Sequence, residues 1–242
     1  MVIINNLSEP AALQFYPLTE STRYVVGVDL GQSADPTAIA VLQHVRGVMD
    51  GRSSFERHLG LRGPTQAKAE RCDVRHLERL PLGMSYPAVV QHVKDLMAHP
   101  PLGGHDAIAP ATLVLDSTGV GNAVADIFDA AQLSHVRILI TAGTETTGHG
   151  TWQRQQWHVP KTDLISIVDA WLHTGVLRFA AALSEAPAMR SELLDFRRSL
   201  SAAGRASYAA RTGKHDDLVL AVAIGCWYLN QPPPPRVWVG SY

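Results

Sequence analysis

Tyr24-Val25-Val26-Gly27-Val28-Asp29-Leu30 is the stretch from which the fold is read. It is rich in β-branched residues and almost continuously apolar until an acid closes it, which is the pattern of a buried strand. Gly31-Gln32-Ser33-Ala34-Asp35-Pro36 follows with turn chemistry, since Gly, Ser and Asp-Pro all favour chain reversal. Thr37 to Val45 (TAIAVLQHV) then reads as a second strand, pairing with the first as an antiparallel hairpin. Ser54 to Leu61 is a third strand candidate, with Val74 to Leu80 extending or following it.

Further along, Pro87 to Met97 (PAVVQHVKDLM) predicts a helix. Pro87 suits its first turn, and Val89, Val90, Val93, Leu96 and Met97 share one face. Thr112-Leu113-Val114-Leu115-Asp116 is a short apolar strand ending in an acid. Gly119, Gly121 and Asn122 turn the chain into a helix from Ala123 to Ala131, and Val136 to Thr141 is the next strand. Strand, helix, strand in that order implies parallel pairing through a right-handed crossover. Ala142 to His158 has no periodicity and reads as a long loop beside a functional site, with Trp157 and Trp152 packing on the protein's own rim. Helices are expected from Pro160 to His173, where Gly175 is the stop, and from Glu185 to Leu200. Ser207 to Ala210 reads as a short strand, and a last helix runs from Asp216 to about Leu229. The expected domain organisation is a lead-in over 1–23, a single domain over 24–230 and a Pro-rich tail over 231–242.

The totals exclude several classes. The apolar fraction of 46% and charged fraction of 18% are those of a globular protein, and no apolar run is long enough to span a membrane. The N-terminus lacks a signal-peptide pattern, and the distant Cys72 and Cys226 read as buried free thiols, so a cytoplasmic location is expected. A net charge of −1 rules out a chain coated in basic residues, although a local patch can still bind nucleic acid. From Arg178 to Lys214 the basic residues Arg178, Arg190, Arg197, Arg198, Arg205, Arg211 and Lys214 outnumber Glu185, Glu192 and Asp195. The histidines form no H-E-x-x-H, the cysteines no C-x-x-C, and no G-x-S-x-G elbow is present.

What remains is a set of acids at element ends. Asp29 closes the first strand, Asp116 closes a central strand, and Asp216 and Asp217 open the last helix directly against an apolar run. Taken singly, such acids cap turns and helix starts. Taken together at one sheet edge they would repel, and a divalent cation such as Mg²⁺ would reverse that penalty.

The chain resembles the nuclease domain of tailed-phage terminase large subunits, members of the RNase H-like superfamily that includes Holliday-junction resolvases. The resemblance rests on Val26-Gly27-Val28-Asp29-Leu30-Gly31 with Asp35-Pro36-Thr37-Ala38-Ile39, and on His76-Leu77-Glu78-Arg79-Leu80-Pro81-Leu82-Gly83 with Tyr86-Pro87. It continues through Leu115-Asp116-Ser117-Thr118-Gly119-Val120-Gly121, Val159-Pro160-Lys161-Thr162-Asp163-Leu164, Glu192-Leu193 with Phe196, and His215-Asp216-Asp217-Leu218-Val219. These pieces keep their order over about residues 24–229. The resemblance implies an α/β fold: an RNase H-like mixed β-sheet, its first three strands antiparallel and the later ones parallel, flanked by helices on both faces. It also implies a metal-dependent endonuclease that cuts double-stranded DNA during genome packaging. Asp29, Asp116 and one of the Asp216/Asp217 pair would hold two Mg²⁺ or Mn²⁺ ions, with Asp217 favoured and His215 orienting a ligand or the scissile phosphate. Lys161, Arg211 and Lys214 are the candidate DNA contacts, and Asp35 is a turn residue.

The expected partners are a terminase ATPase motor subunit or domain, a small terminase subunit and a portal, in the host cytoplasm and without a membrane. One departure stands out: the chain has no G-x-x-x-x-G-K-[ST] loop, so it lacks the motor and is expected to be an excised domain or a separately encoded nuclease, the second favoured by Met1. Two other classes fit parts of the pattern. An actin-like or sugar-kinase ATPase lobe shares Asp29-Leu30-Gly31 and the Gly-rich turn after Asp116, while a non-catalytic RNase H-like DNA-binding module would share the fold but lose the acids.

Overall fold

A computed structural model describes residues 17–31, 35–50, 66–104, 108–119, 121–151, 154–180, 182–202 and 216–232. They form an eight-stranded sheet built from β1 (Pro17–Asp29), β2 (Ala38–Asp50), β3 (Gln66–Arg79), β4 (Thr112–Asp116), β5 (His135–Thr141), β6 (Thr147–Thr151), β7 (Arg154–Pro160) and β8 (Leu177–Phe179). The helices are α1 (Tyr86–Ala98), α2 (Gly121–Ala130), α3 (Lys161–His173), α4 (Ala186–Ala202) and α5 (Asp217–Asn230). In space the strands run β6-β7-β5-β4-β1-β2-β3-β8. β1, β2 and β3 pair antiparallel, whereas β1–β4, β4–β5 and β5–β7 pair parallel. This is the expected mixed sheet, its first three strands antiparallel and its central later pairs parallel. A parallel β8 borders β3 at one edge and an antiparallel β6 borders β7 at the other.

Alternation along the strands sorts the two faces. Val26, Val28, Leu113 and Leu115 point to a core shared with Val89, Val90 and Val93 of α1 and Val124 and Phe128 of α2. Val25, Val114, Leu77 and Leu42 point the other way, to a core with α3, α4 and α5. α5 is apolar around its whole circumference, which is tolerated only in a fully enclosed helix. It is buried along nearly its full length. It lies hard against β1: a Cβ on Gly27 would fall 2.1 Å from the Ala221 carbonyl oxygen, and one on Gly225 would fall 2.7 Å from Leu42 Cδ1. Those two glycines set how closely the helix approaches the sheet.

The structure corrects several expectations. β1 begins at Pro17, inside the stretch read as a lead-in, and β2 continues to Asp50. The polar starts of these arms carry little strand signal of their own, and the long β1–β2 ladder supplies it. The third strand is β3, longer than its apolar part; the candidate at Ser54 to Leu61, and the one at Ser207 to Ala210, lie outside the described residues. The long loop of Ala142 to His158 is instead mostly a β6–β7 hairpin docked on β5. Its Gly, Thr and Gln residues lack an alternating apolar pattern. Pairing holds it, with Gly148 lying under the Trp157 ring, where a Cβ would come within 2.1 Å of it. Trp157 then meets Trp227 edge-on, packing on the protein itself as expected. β8 is too short to leave a sequence pattern. Cys72 and Cys226 are buried and form no disulfide. Among the described residues, no helix is long and apolar enough to cross a membrane.

Candidate active site

The candidate site stands where five strand positions line up. Asp29 is registered against Asp116 on β4 and against Ala38 on β2, Ala38 against Arg79 on β3, and Asp116 against Ile138 on β5. With strands about 4.8 Å apart, Asp116 lies one strand from Asp29 and Arg79 two strands away on the other side. Asp29 shares its face with Gly27, Asp116 with Val114, and Arg79 with Leu77. All three therefore turn toward α5. The N-terminus of α5, with Asp216 at the capping position and Asp217 as its first residue, closes the row.

Local bonds fix each side chain. The turn after Asp29 is tied by the Gly31 N–H donating to Thr37 Oγ1 at 3.1 Å and by the Tyr86 hydroxyl donating to the Gly31 carbonyl at 3.2 Å. A Cβ on Gly31 would strike the Asp35 carbonyl oxygen at 2.1 Å, so the chain can double back this tightly only with Gly there. Asp35 itself is exposed in that bend. Asp116 accepts the Thr118 N–H at 2.8 Å, the turn-capping bond that a single Asp makes by default, and Thr118 Oγ1 in turn accepts the Ile140 N–H at 2.7 Å.

Asp29 and Asp116 also bond to one another. Burial raises the Asp29 carboxyl well above the usual carboxylate range, and the charges of Asp116, Asp216 and Asp217 raise it further, in that order. Burial also raises Asp116, against the pull of the Thr118 hydroxyl and N–H, the bond from Asp29, and Lys161. Burial and the neighbouring acids thus disfavour the ionised form of Asp29, and added positive charge at this edge would relieve that penalty.

Two cations divide the α5 pair. Lys161, the first residue of α3, donates to Asp216 at 2.5 Å. Arg79 donates through Nε to Asp217 at 2.5 Å, through one terminal nitrogen to Glu192 on α4, and through the other to Glu185 at 3.4 Å. Glu192 Oε2 accepts the Val219 N–H of α5 at 3.0 Å. Burial, with Asp217 and Asp216 nearby, pushes the Glu192 carboxyl up to about 8, against the hold of Val219 N–H and Arg79.

Asp29, Asp116, Asp216, Asp217 and Lys161 are therefore brought to one place. His215, Arg211 and Lys214 lie outside the described residues. Sequence reasoning gave no role to Arg79, Glu192 or Thr118, although each sits in a quoted motif. Only Thr118 left a usable signal, as the second residue after an Asp in a turn.

The chain is similar to terminase nucleases. The solved structures it is similar to include the large terminase nuclease from thermophilic phage G20c, with 21% identity, TM-score 0.49, and 84% of this chain and 81% of that one covered. Another is the human cytomegalovirus terminase nuclease domain, with 17% identity, TM-score 0.44, and coverage of 92% and 87%. A Mn-soaked form of that cytomegalovirus domain shows 13% identity, TM-score 0.42, and coverage of 85% and 82%. No protein-family model matches the chain, and no curated protein matches it.

The donors at the site fit a hard divalent cation in type, since all are carboxylate oxygens. Among the described residues, however, no three His, Cys, Asp or Glu side chains are gathered closely enough to enclose an ion as they stand. In this arrangement Asp29 and Asp116 lie against one another, while Lys161 and Arg79 hold Asp216 and Asp217.

Proposed function

We propose that this chain is a divalent-metal-dependent endonuclease acting on double-stranded DNA, as the nuclease part of a packaging terminase. The observation that carries the reading is the Asp29–Asp116 pair registered side by side at adjacent strand ends, facing two further acids on α5. An acidic cluster this crowded weakens the fold around it, which makes sense where the acids have work to do. The ordered motif set over residues 24–229 supports the same reading.

Asp29, Asp116, Asp216 and Asp217 would hold Mg²⁺ or Mn²⁺, two ions on the reading that the sequence resemblance supports. Bound there, the metal would supply Lewis acidity toward a phosphodiester and a lowered pKa for the attacking water. The added positive charge would favour the ionised form of Asp29. Asp116 stays oriented by the Thr118 N–H throughout. Lys161, once released from Asp216, would be free to meet a backbone phosphate, joined by Arg211 and Lys214 from the segment before α5. His215 would orient a donor or the phosphate. An ATPase motor, a small terminase subunit and a portal are the partners that such a nuclease would work with, in the cytoplasm of an infected host.

The test is plasmid cleavage in Mg²⁺ or Mn²⁺ by the intact chain, by Asp29→Asn and by Asp116→Asn. Both substitutions are expected to reduce nicking and linearisation to background while circular dichroism stays that of the parent. Cleavage that survives both substitutions, or survives EDTA, would sink the proposal.

A further inference from the structure

At the N-terminus of an α-helix the first backbone N–H groups have no partner within the helix, and the side chain at the capping position usually supplies one by accepting from the second or third helical residue. α5 departs from this. Its capping residue, Asp216, makes no such bond. The third residue, Val219, donates instead to Glu192 Oε2, on a different helix, at 3.0 Å. Asp216 is thereby relieved of capping, and its carboxylate bonds to Lys161 at the acidic cluster.

The other Glu192 oxygen accepts from Arg79, and the Arg79 Nε holds Asp217 at 2.5 Å. One guanidinium thus ties the end of β3 to α4 and to the first residue of α5. Glu192 and Asp217 are both almost fully buried, with side chains 6% exposed, so neither bond competes with bulk water.

We infer that Glu192 and Arg79 are positioning residues, which cap and anchor α5 from outside so that the Asp216–Asp217 pair is presented to Asp29 and Asp116 rather than used to close the helix. Neither residue is catalytic, because both act through α5. The inference rests on the nuclease reading above, in that it supposes the acids bind a divalent ion.

The test is Mn²⁺ binding by titration calorimetry on the full chain, without DNA, beside thermal melts in EDTA. Glu192→Ala is expected to weaken Mn²⁺ binding about tenfold or more, the usual scale for losing a group that orients a ligand. Glu192→Gln keeps an amide oxygen for the Val219 N–H but turns its NH2 toward the Arg79 donors, so it is expected to bind more tightly than Glu192→Ala and more weakly than the parent. Arg79→Lys, which keeps the charge but loses the fork that spans three acids, is expected to bind as weakly as Glu192→Ala. If Glu192→Ala melts before it can be titrated, Arg79→Lys decides alone. Parent-like Mn²⁺ affinity in Arg79→Lys, or in a folded Glu192→Ala, overturns the positioning role and leaves the nuclease reading standing. A parent chain that binds no Mn²⁺ overturns both.

Discussion

Two groups of charge meet under the N-terminus of α5, and each sets three acids against one cation. In the first, Asp29, Asp116 and Asp216 stand with Lys161; in the second, Asp217, Glu192 and Glu185 stand with Arg79. The second is bound together. A planar guanidinium presents several donors in a fixed fork, so one Arg reaches all three carboxylates at once, and the Val219 N–H takes up a further lone pair. An ammonium is a point charge: it bonds Asp216 and acts on Asp116 through its charge alone, so it does not bind these acids into one fork. The difference teaches how to separate scaffold from chemistry in a crowded acidic site. The acids on the Arg79 fork tie β3, α4 and α5 together, whereas Asp29 and Asp116, side by side at adjacent strand ends without such a fork, are the ones that the proposed metal would bridge, with the α5 acids presented beside them.

The largest expected effect tests the scaffold half. Arg79→Met leaves Asp217 and Glu192 buried without their counter-ion, and should destabilise the chain by about 3–5 kcal/mol in urea unfolding. A loss below 1 kcal/mol, the range of an exposed surface pair, would erase the distinction between the two clusters.

The next effect has the opposite sign and tests the chemical half. Asp29→Asn removes a carboxyl that burial and three neighbouring acids disfavour as an anion. In EDTA at pH 8 it should therefore raise stability, seen as a higher urea midpoint than the parent's, while on the proposed function it abolishes cleavage.

A smaller signature follows from the same carboxyl. Its folded pKa lies above its unfolded value, so the folded state holds the proton more tightly. The stability it contributes is fully present below the ordinary carboxylate range and is lost as pH rises through the raised folded value. Metal-free parent protein should thus lose stability from mildly acidic toward alkaline pH more steeply than Asp29→Asn does, as chemical unfolding at a series of pH values would reveal. Parallel curves would mean that Asp29 titrates normally.

The finest comparison is between the adjacent acids. Asp216 weighs on Asp29 more than Asp217 does, and Asp217 is held by Arg79. Asp216→Asn should therefore lose Mn²⁺ affinity by a factor of about ten more than Asp217→Asn. The reverse order would favour Asp217, the choice made from the sequence motif.

Much of this was legible before any coordinates. The β1 and β2 strands, the Asp116 strand and α5 are written in local signals: unbroken β-branched runs, an acid at each end, and an apolar helix with charges only at its mouth. Those signals depend on neighbours within a few residues, so the sequence by itself determined the mixed α/β sheet and the four acids. It could not determine what depends on pairing across long separations. The β6–β7 hairpin is polar and becomes strand because β5 offers it a ladder and Trp157 covers Gly148. The fork from Arg79 to Asp217 spans 138 residues of chain and has no local pattern at all. Nor does the cap that Glu192 places on α5. Which cation takes which acid, and which two carboxyls stand side by side, follows from strand register and the close approach of α5 over Gly27, and only the tertiary structure decided that.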